Sequence, residues 1–125
     1  MRADAAGPQT DPREALGRIY AQTMGVTPSR VDALFGRGLV VAVLYDATSP
    51  AEQDLCRRED GCRLLREYLS ACAAEMLPAL QEFAHRRNLG TARRVQIEIV
   101  PDTPHKLVTV VFTPLERPRA KGGAL

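Results

Sequence analysis

The stretch GRGLVVAVLYDATSPAEQDL, residues 36–55, holds a glycine-bearing turn, an apolar run and a helix start in immediate succession. LVVAVLY, residues 39–45, is rich in β-branched side chains and apolar at both parities. Such a run reads as a strand interior to a sheet, or covered on two sides. Val31, Leu34 and Phe35 precede Gly36-Arg37-Gly38, so RVDALF and LVVAVLY form a hairpin with RVDALF nearer an edge. The glycine pair lacks the spacing and terminal Lys-Ser or Lys-Thr of a P-loop, and also the GxGxxG spacing of a dinucleotide site. It serves a backbone turn that needs positive φ.

After the strand comes Ser49-Pro50-Ala51-Glu52, an S-x-x-E capping box. The serine hydroxyl accepts an amide proton from the first turn, the glutamate accepts the cap residue's own N–H, and proline fits the first helical position. A nucleophilic Ser49 would need a neighbouring base, and no sequence feature supplies one. The spacing therefore predicts a short helix from Pro50 to about Arg58, ending near Asp60-Gly61.

Working outward, Asp11-Pro12 opens a first helix, with Leu16, Ile19, Tyr20 and Met24 on one stripe and Gly25 as the stop. A long helix is expected over residues 61–88. Its apolar face carries Leu64, Leu65, Tyr68, Leu69, Cys72, Ala73, Met76, Leu77, Leu80, Phe83 and Ala84. Pro78 cannot donate to residue 74 and should bend or divide that helix; Gly90 is the expected terminator. RRVQIEIV, residues 93–100, alternates as a strand with Val95, Ile97 and Ile99 on one face. Pro101, Asp102 and Pro104 turn the chain into a last strand, LVTVVF, residues 107–112. The fold class is α+β: one domain over 12–114 in the order α-β-β-α-α-β-β, an antiparallel four-stranded sheet with helices on one face. Residues 1–11 and 115–125 read as loose tails.

The chain has 125 residues and a net charge of +2, from 17 basic and 15 acidic side chains. That balance does not call for a nucleic-acid partner, and with no Trp and few Tyr or Phe there is little to stack bases on. No apolar segment approaches the roughly 20 residues of a membrane span, and the N-terminus lacks the apolar run of a secretory signal; a cytoplasmic protein is expected. Cys56, Cys62 and Cys72 have no paired-knuckle spacing, and His85 and His105 fall on different elements, so neither a metal nor another cofactor is expected.

This arrangement resembles the MpsC family of Na⁺-translocating, membrane-potential-generating systems. Ser49-Pro50-Ala51-Glu52 stands where that family has Thr-Pro-Ala-Glu. Leu55 and LLREYL fit the continuation, Pro78 the proline inside the long helix, Asp102 the turn aspartate, and Val110, Val111 and Phe112 the final strand. The resemblance spans roughly residues 14–113. Tyr45-Asp46 departs from the family's acid-glycine pair, and Gly25-Val26-Thr27 from its glycine-rich approach to the first strand. The resemblance implies an accessory association with a membrane system, since the chain has no lipid-spanning path of its own.

The functional expectation is a non-enzymatic interaction protein that forms a homodimer, with a membrane-associated protein as a further partner. Tyr68, Leu69, Met76 and Leu80 are the expected interface residues, with core membership as the alternative for each. The rival reading is an anion or small-molecule regulator using Arg86, Arg87, Arg93 and Arg94, four guanidinium groups around a helix-to-strand corner. Glu75, Glu82 and Glu98 show no pairing, and His85 and His105 no relay partner, so no catalytic residue is assigned.

Overall fold

In a computed structural model that describes residues 11–114, the chain runs α1 (Pro12–Met24), β1 (Arg30–Gly36), β2 (Leu39–Tyr45), α2 (Pro50–Leu55), α3 (Glu59–Arg86), β3 (Thr91–Ile99) and β4 (Lys106–Thr113). The element order is the one the sequence predicts. The segments read as tails fall outside the described residues, apart from Asp11, which caps α1 by accepting from the Arg13 N–H. All strand pairs are antiparallel, and the sheet order is β1-β2-β4-β3. The two helices after β2 carry the chain to the far edge for β3, and β4 returns to the gap between β2 and β3. LVVAVLY is thus an interior strand and RVDALF an edge strand, as their composition implies.

Side-chain parity divides the sheet into two unlike faces. Ala42 and Leu44 of β2, Val108 and Val110 of β4, and Ala92 and Ile97 of β3 point inward. They share one core with Leu16 and Tyr20 of α1 and Leu65, Leu69, Cys72, Ala73, Met76 and Leu80 of α3. Fully burying an aliphatic side chain of this size is worth about 1.5–3 kcal/mol, so this shared layer holds the helices to the sheet. The opposite parity carries Leu34, Leu39, Val41, Val43, Leu107 and Val111, and no described element covers it.

Three local expectations change. The proline does not divide α3, which is continuous over 28 residues. Pro78 and Ala74 are both exposed, so the missing N–H falls on the solvent side of the helix rather than in the core. The helix ends through Asn88, left-handed at φ 56°, with Leu89 N–H donating to the Ala84 carbonyl and Asn88 N–H to that of His85. Gly90 serves the sheet instead. A Cβ there would lie 2.2 Å from the Thr113 carbonyl oxygen, so only glycine lets the chain pass the end of β4. Finally, Leu64 and Tyr68 are exposed, because the buried stripe of α3 is narrower than the run of apolar residues in its sequence.

Candidate functional site

The capping box forms as its spacing requires. Ser49 Oγ accepts from the Glu52 N–H at 3.1 Å, and Glu52 Oε1 accepts from the Ser49 N–H at 2.9 Å. The same carboxylate has a second role that the sequence does not announce. Lys106, 1 % exposed, opens β4 with its side chain turned into the core. Its Nζ donates to Glu52 Oε2 at 2.9 Å, Glu52 Oε1 at 3.1 Å, Tyr20 Oη at 2.9 Å and the Ala47 carbonyl at 3.0 Å. Tyr20 Oη in turn donates to the Ala47 carbonyl. Burial pushes the Tyr20 hydroxyl well above its usual pKa, and the Glu52 charge adds to this. Every polar atom of the cluster is engaged within the chain, which makes it a structural lock between α1, α2 and β4. A signal for it exists in hindsight: Lys106 shares the parity of Val108 and Val110. Nothing in the sequence names its partners.

At one end of the uncovered sheet face sits a polar group. Tyr45 Oη donates to Asp32 Oδ2 at 2.9 Å, the Arg30 guanidinium pairs with the same oxygen at 2.9 Å, and the Arg30 Cζ lies 4.3 Å from the Tyr45 ring centre. The Tyr45 hydroxyl bond, with help from Arg30, holds the Asp32 carboxyl below the usual carboxylate range. His105 meets Tyr45 edge-on at 4.7 Å, and its Nδ1 accepts from the Asp46 N–H at 3.1 Å. That bond fixes the ring against the start of the turn after β2.

The centre of that face is apolar, and strand register arranges the face in rows. Leu34, Val41, Thr109 and Gln96 lie side by side across the four strands. The row on one side is Asp32, Val43, Leu107 and Glu98; on the other it is Gly36, Leu39, Val111 and Arg94. Leu34 is 77 % exposed and Leu39 40 %. An apolar centre with a polar margin on one flat face is the pattern of an association surface. Its source is visible as the two-sided apolar character of LVVAVLY, which sets aside half its side chains for something other than the core.

The other expected site residues are distributed as follows. Leu69, Met76 and Leu80 are buried in the core, so of the four α3 residues expected at an interface only Tyr68 reaches the surface. The arginines all belong to the α3–β3 corner. Arg86 pairs with Glu82 at 3.6 Å, Arg87 stacks on the Phe83 ring at 5.4 Å, and Arg93 Nε donates to Thr113 Oγ1 at 2.8 Å. A register shift between Ala92 and Arg94 leaves both Arg93 and Arg94 exposed.

A cavity of about 510 Å³ lies between the start of α3, the end of α2 and β3. It is floored by Leu65, Leu69 and Ile97 and edged by Cys56, Cys62 and Arg66. Burial, and then Cys62 beside it, pushes the Cys56 thiol upward, away from the thiolate a nucleophile requires. Among the described residues, no three His, Cys, Asp or Glu side chains stand together as a metal site, and no helix is long and apolar enough to cross a membrane.

A family model described as "Na+-translocating membrane potential-generating system (MpsC)" matches residues 12–113, from the first residue of α1 to the last of β4. The chain belongs to the MpsC family. The resemblance carried by Ser49-Pro50-Ala51-Glu52 and the final strand is thereby confirmed, and the described fold is that of an MpsC-family chain. Neither the curated proteins nor the solved structures gave a match. For this MpsC chain the fold's own surfaces are therefore the guide to what it does.

Proposed function

We propose that the chain is a non-enzymatic accessory protein that acts by association, and that the uncovered face of its sheet is where it associates. The observation carrying this reading is the apolar band of Leu34, Leu39, Val41, Val43, Leu107 and Val111, displayed opposite a core that needs none of them. A monomer has no use for a contiguous apolar sheet face, whereas a sandwich with a second sheet buries it. The engaged partners of Ser49, His105 and Lys106 support a structural assignment for the polar residues with the most chemistry to offer. The family's description supports a place beside a Na⁺-translocating membrane system.

The test is oligomeric state. Light scattering across a concentration series on the full chain should give twice the monomer mass, and Val41→Asp should return it to monomer with its circular dichroism intact. A full chain that stays monomeric at every concentration overturns the reading. So does a dimer indifferent to Val41→Asp.

A further inference from the structure

Resting on the reading that the open sheet face self-associates, we propose that the partner is a second copy of this chain, laid face to face about a two-fold axis running across the strands. The axis passes over the row Leu34–Val41–Thr109–Gln96.

Symmetry narrows the choice. A closed pair is isologous, and two packed sheets keep their strands within roughly 30° of alignment. The two-fold axis between them then runs either along the strands or across them. An axis along the strands lays β1 over the partner's β3 within the same row. Asp32 then faces the partner's Glu98, twice over, and Arg94 faces Gly36. Arg30 offsets the Asp32 charge in part, but Glu98 and Arg94 then each face no opposite charge of the partner, and like charges placed opposite one another are disfavoured.

The axis across the strands lays each strand over its own copy and exchanges the two outer rows. Arg94 then faces the partner's Glu98, again twice, because the two residues flank Gln96 at equal distance on β3. Val43 falls on the partner's Leu39, Leu107 falls on the partner's Val111, and Val41 falls on its own copy. Apolar groups meet apolar groups and both exposed charges of β3 are matched. Of the two axes, this one also leaves Asp32 over the partner's Gly36, free to keep its own Arg30 and Tyr45 partners.

The area suffices. Four strands about 4.8 Å apart and about seven residues long span roughly 19 by 23 Å, or about 440 Å² in projection before side-chain relief is added. A standard interface takes about 800 Å² of accessible surface per partner, within a factor of two of that projection.

Two measurements on the full chain test the register. Val41→Cys, on the axis, should give a dimer covalently linked by a short bis-maleimide on a denaturing gel, because sheets packed about 10 Å apart hold the two Cα atoms just beyond direct disulfide reach. Leu107→Cys, off the axis, should not, and the parent chain with its three native cysteines sets the background. Separately, Arg94→Glu should raise the dimer dissociation constant about tenfold or more, Glu98→Arg should do likewise, and the Arg94→Glu/Glu98→Arg double exchange should restore it. Circular dichroism checks that each variant is folded, which positions outside the shared core permit. A dimer that Val41→Asp dissociates, but in which Val41→Cys fails to cross-link and Arg94→Glu changes nothing, overturns this register while leaving the open-face reading in place. A chain that never dimerises overturns both.

Discussion

Lys106 Nζ lies 2.9 Å from Glu52 Oε2, joining the first residue of the last strand to the third residue of α2 across 54 positions of sequence. The glutamate therefore does two jobs at once, capping its helix with Oε1 and neutralising a buried cation with both oxygens. Breaking a buried pair by removing one member leaves the other charge uncompensated, which costs about 3–5 kcal/mol. Glu52→Ala should show that loss in urea denaturation, because it strands Lys106 in the core. Lys106→Met should cost less, since Glu52 is 17 % exposed and keeps its Ser49 partner, while the Tyr20 hydroxyl keeps the Ala47 carbonyl. Equal losses for the two variants would mean that the cation is not what Glu52 chiefly serves.

Gly90 gives a prediction of the opposite kind, in which adding one carbon is the injury. Its φ of 101° lies outside what side chains with a Cβ adopt readily, and that Cβ would sit 2.2 Å from the Thr113 carbonyl oxygen. Backbone strain of this sort costs of order 1–3 kcal/mol, and the clash adds to it. Gly90→Ala should lower the thermal midpoint by several degrees at least. Gly25→Ala makes the control: φ there is 76°, but no atom lies within 4 Å of the added carbon, so strain acts alone and the loss is smaller.

Pro78 should be dispensable to the fold. Pro78 and Ala74, whose carbonyl lacks the residue-78 N–H, are both exposed on an unbroken helix. Pro78→Ala restores an N–H donor and removes the ring, and the helix-interior difference between the two residues is up to about 3 kcal/mol. A stabilisation of about 1–3 kcal/mol by urea denaturation is expected. A loss of stability instead would mean that the helix needs the bend proline imposes.

Much of this architecture is legible because its signals are local. Asp11-Pro12, the Ser49–Glu52 box and the alternation of Val95, Ile97 and Ile99 each fix an element within a few residues. What is not legible depends on contacts between distant segments. Leu69, Met76 and Leu80 read equally as interface or core until α1 is placed over α3. Gly90 reads as a helix stop because its close approach to Thr113 joins segments too far apart for any local window to contain both. The open face is half legible: the outward parity of LVVAVLY is apolar on inspection, but only the sheet order shows that no described helix covers it. The Lys106 cluster joins residues from separate segments, and no periodicity joins those.

The last prediction concerns pH at the polar end of that face. Asp32 is held below its ordinary pKa of 3.8, first by the Tyr45 hydroxyl and then by Arg30. Because the folded-state value is depressed, the contribution of this group to stability is fully present above the unfolded pKa. It is lost as pH falls through the folded value. The window therefore lies below about pH 4, and neutral-pH stability is indifferent to it. An NMR titration of the Asp32 carboxyl carbon should give a midpoint under 3.8, and Tyr45→Phe should move it back toward that value. Arg30→Gln should move it in the same direction, since the guanidinium lowers it through both its hydrogen bond and its charge. An Asp32 midpoint unchanged by Tyr45→Phe would show that the hydroxyl donates elsewhere in solution, and would remove the contact that ties the start of β1 to the end of β2.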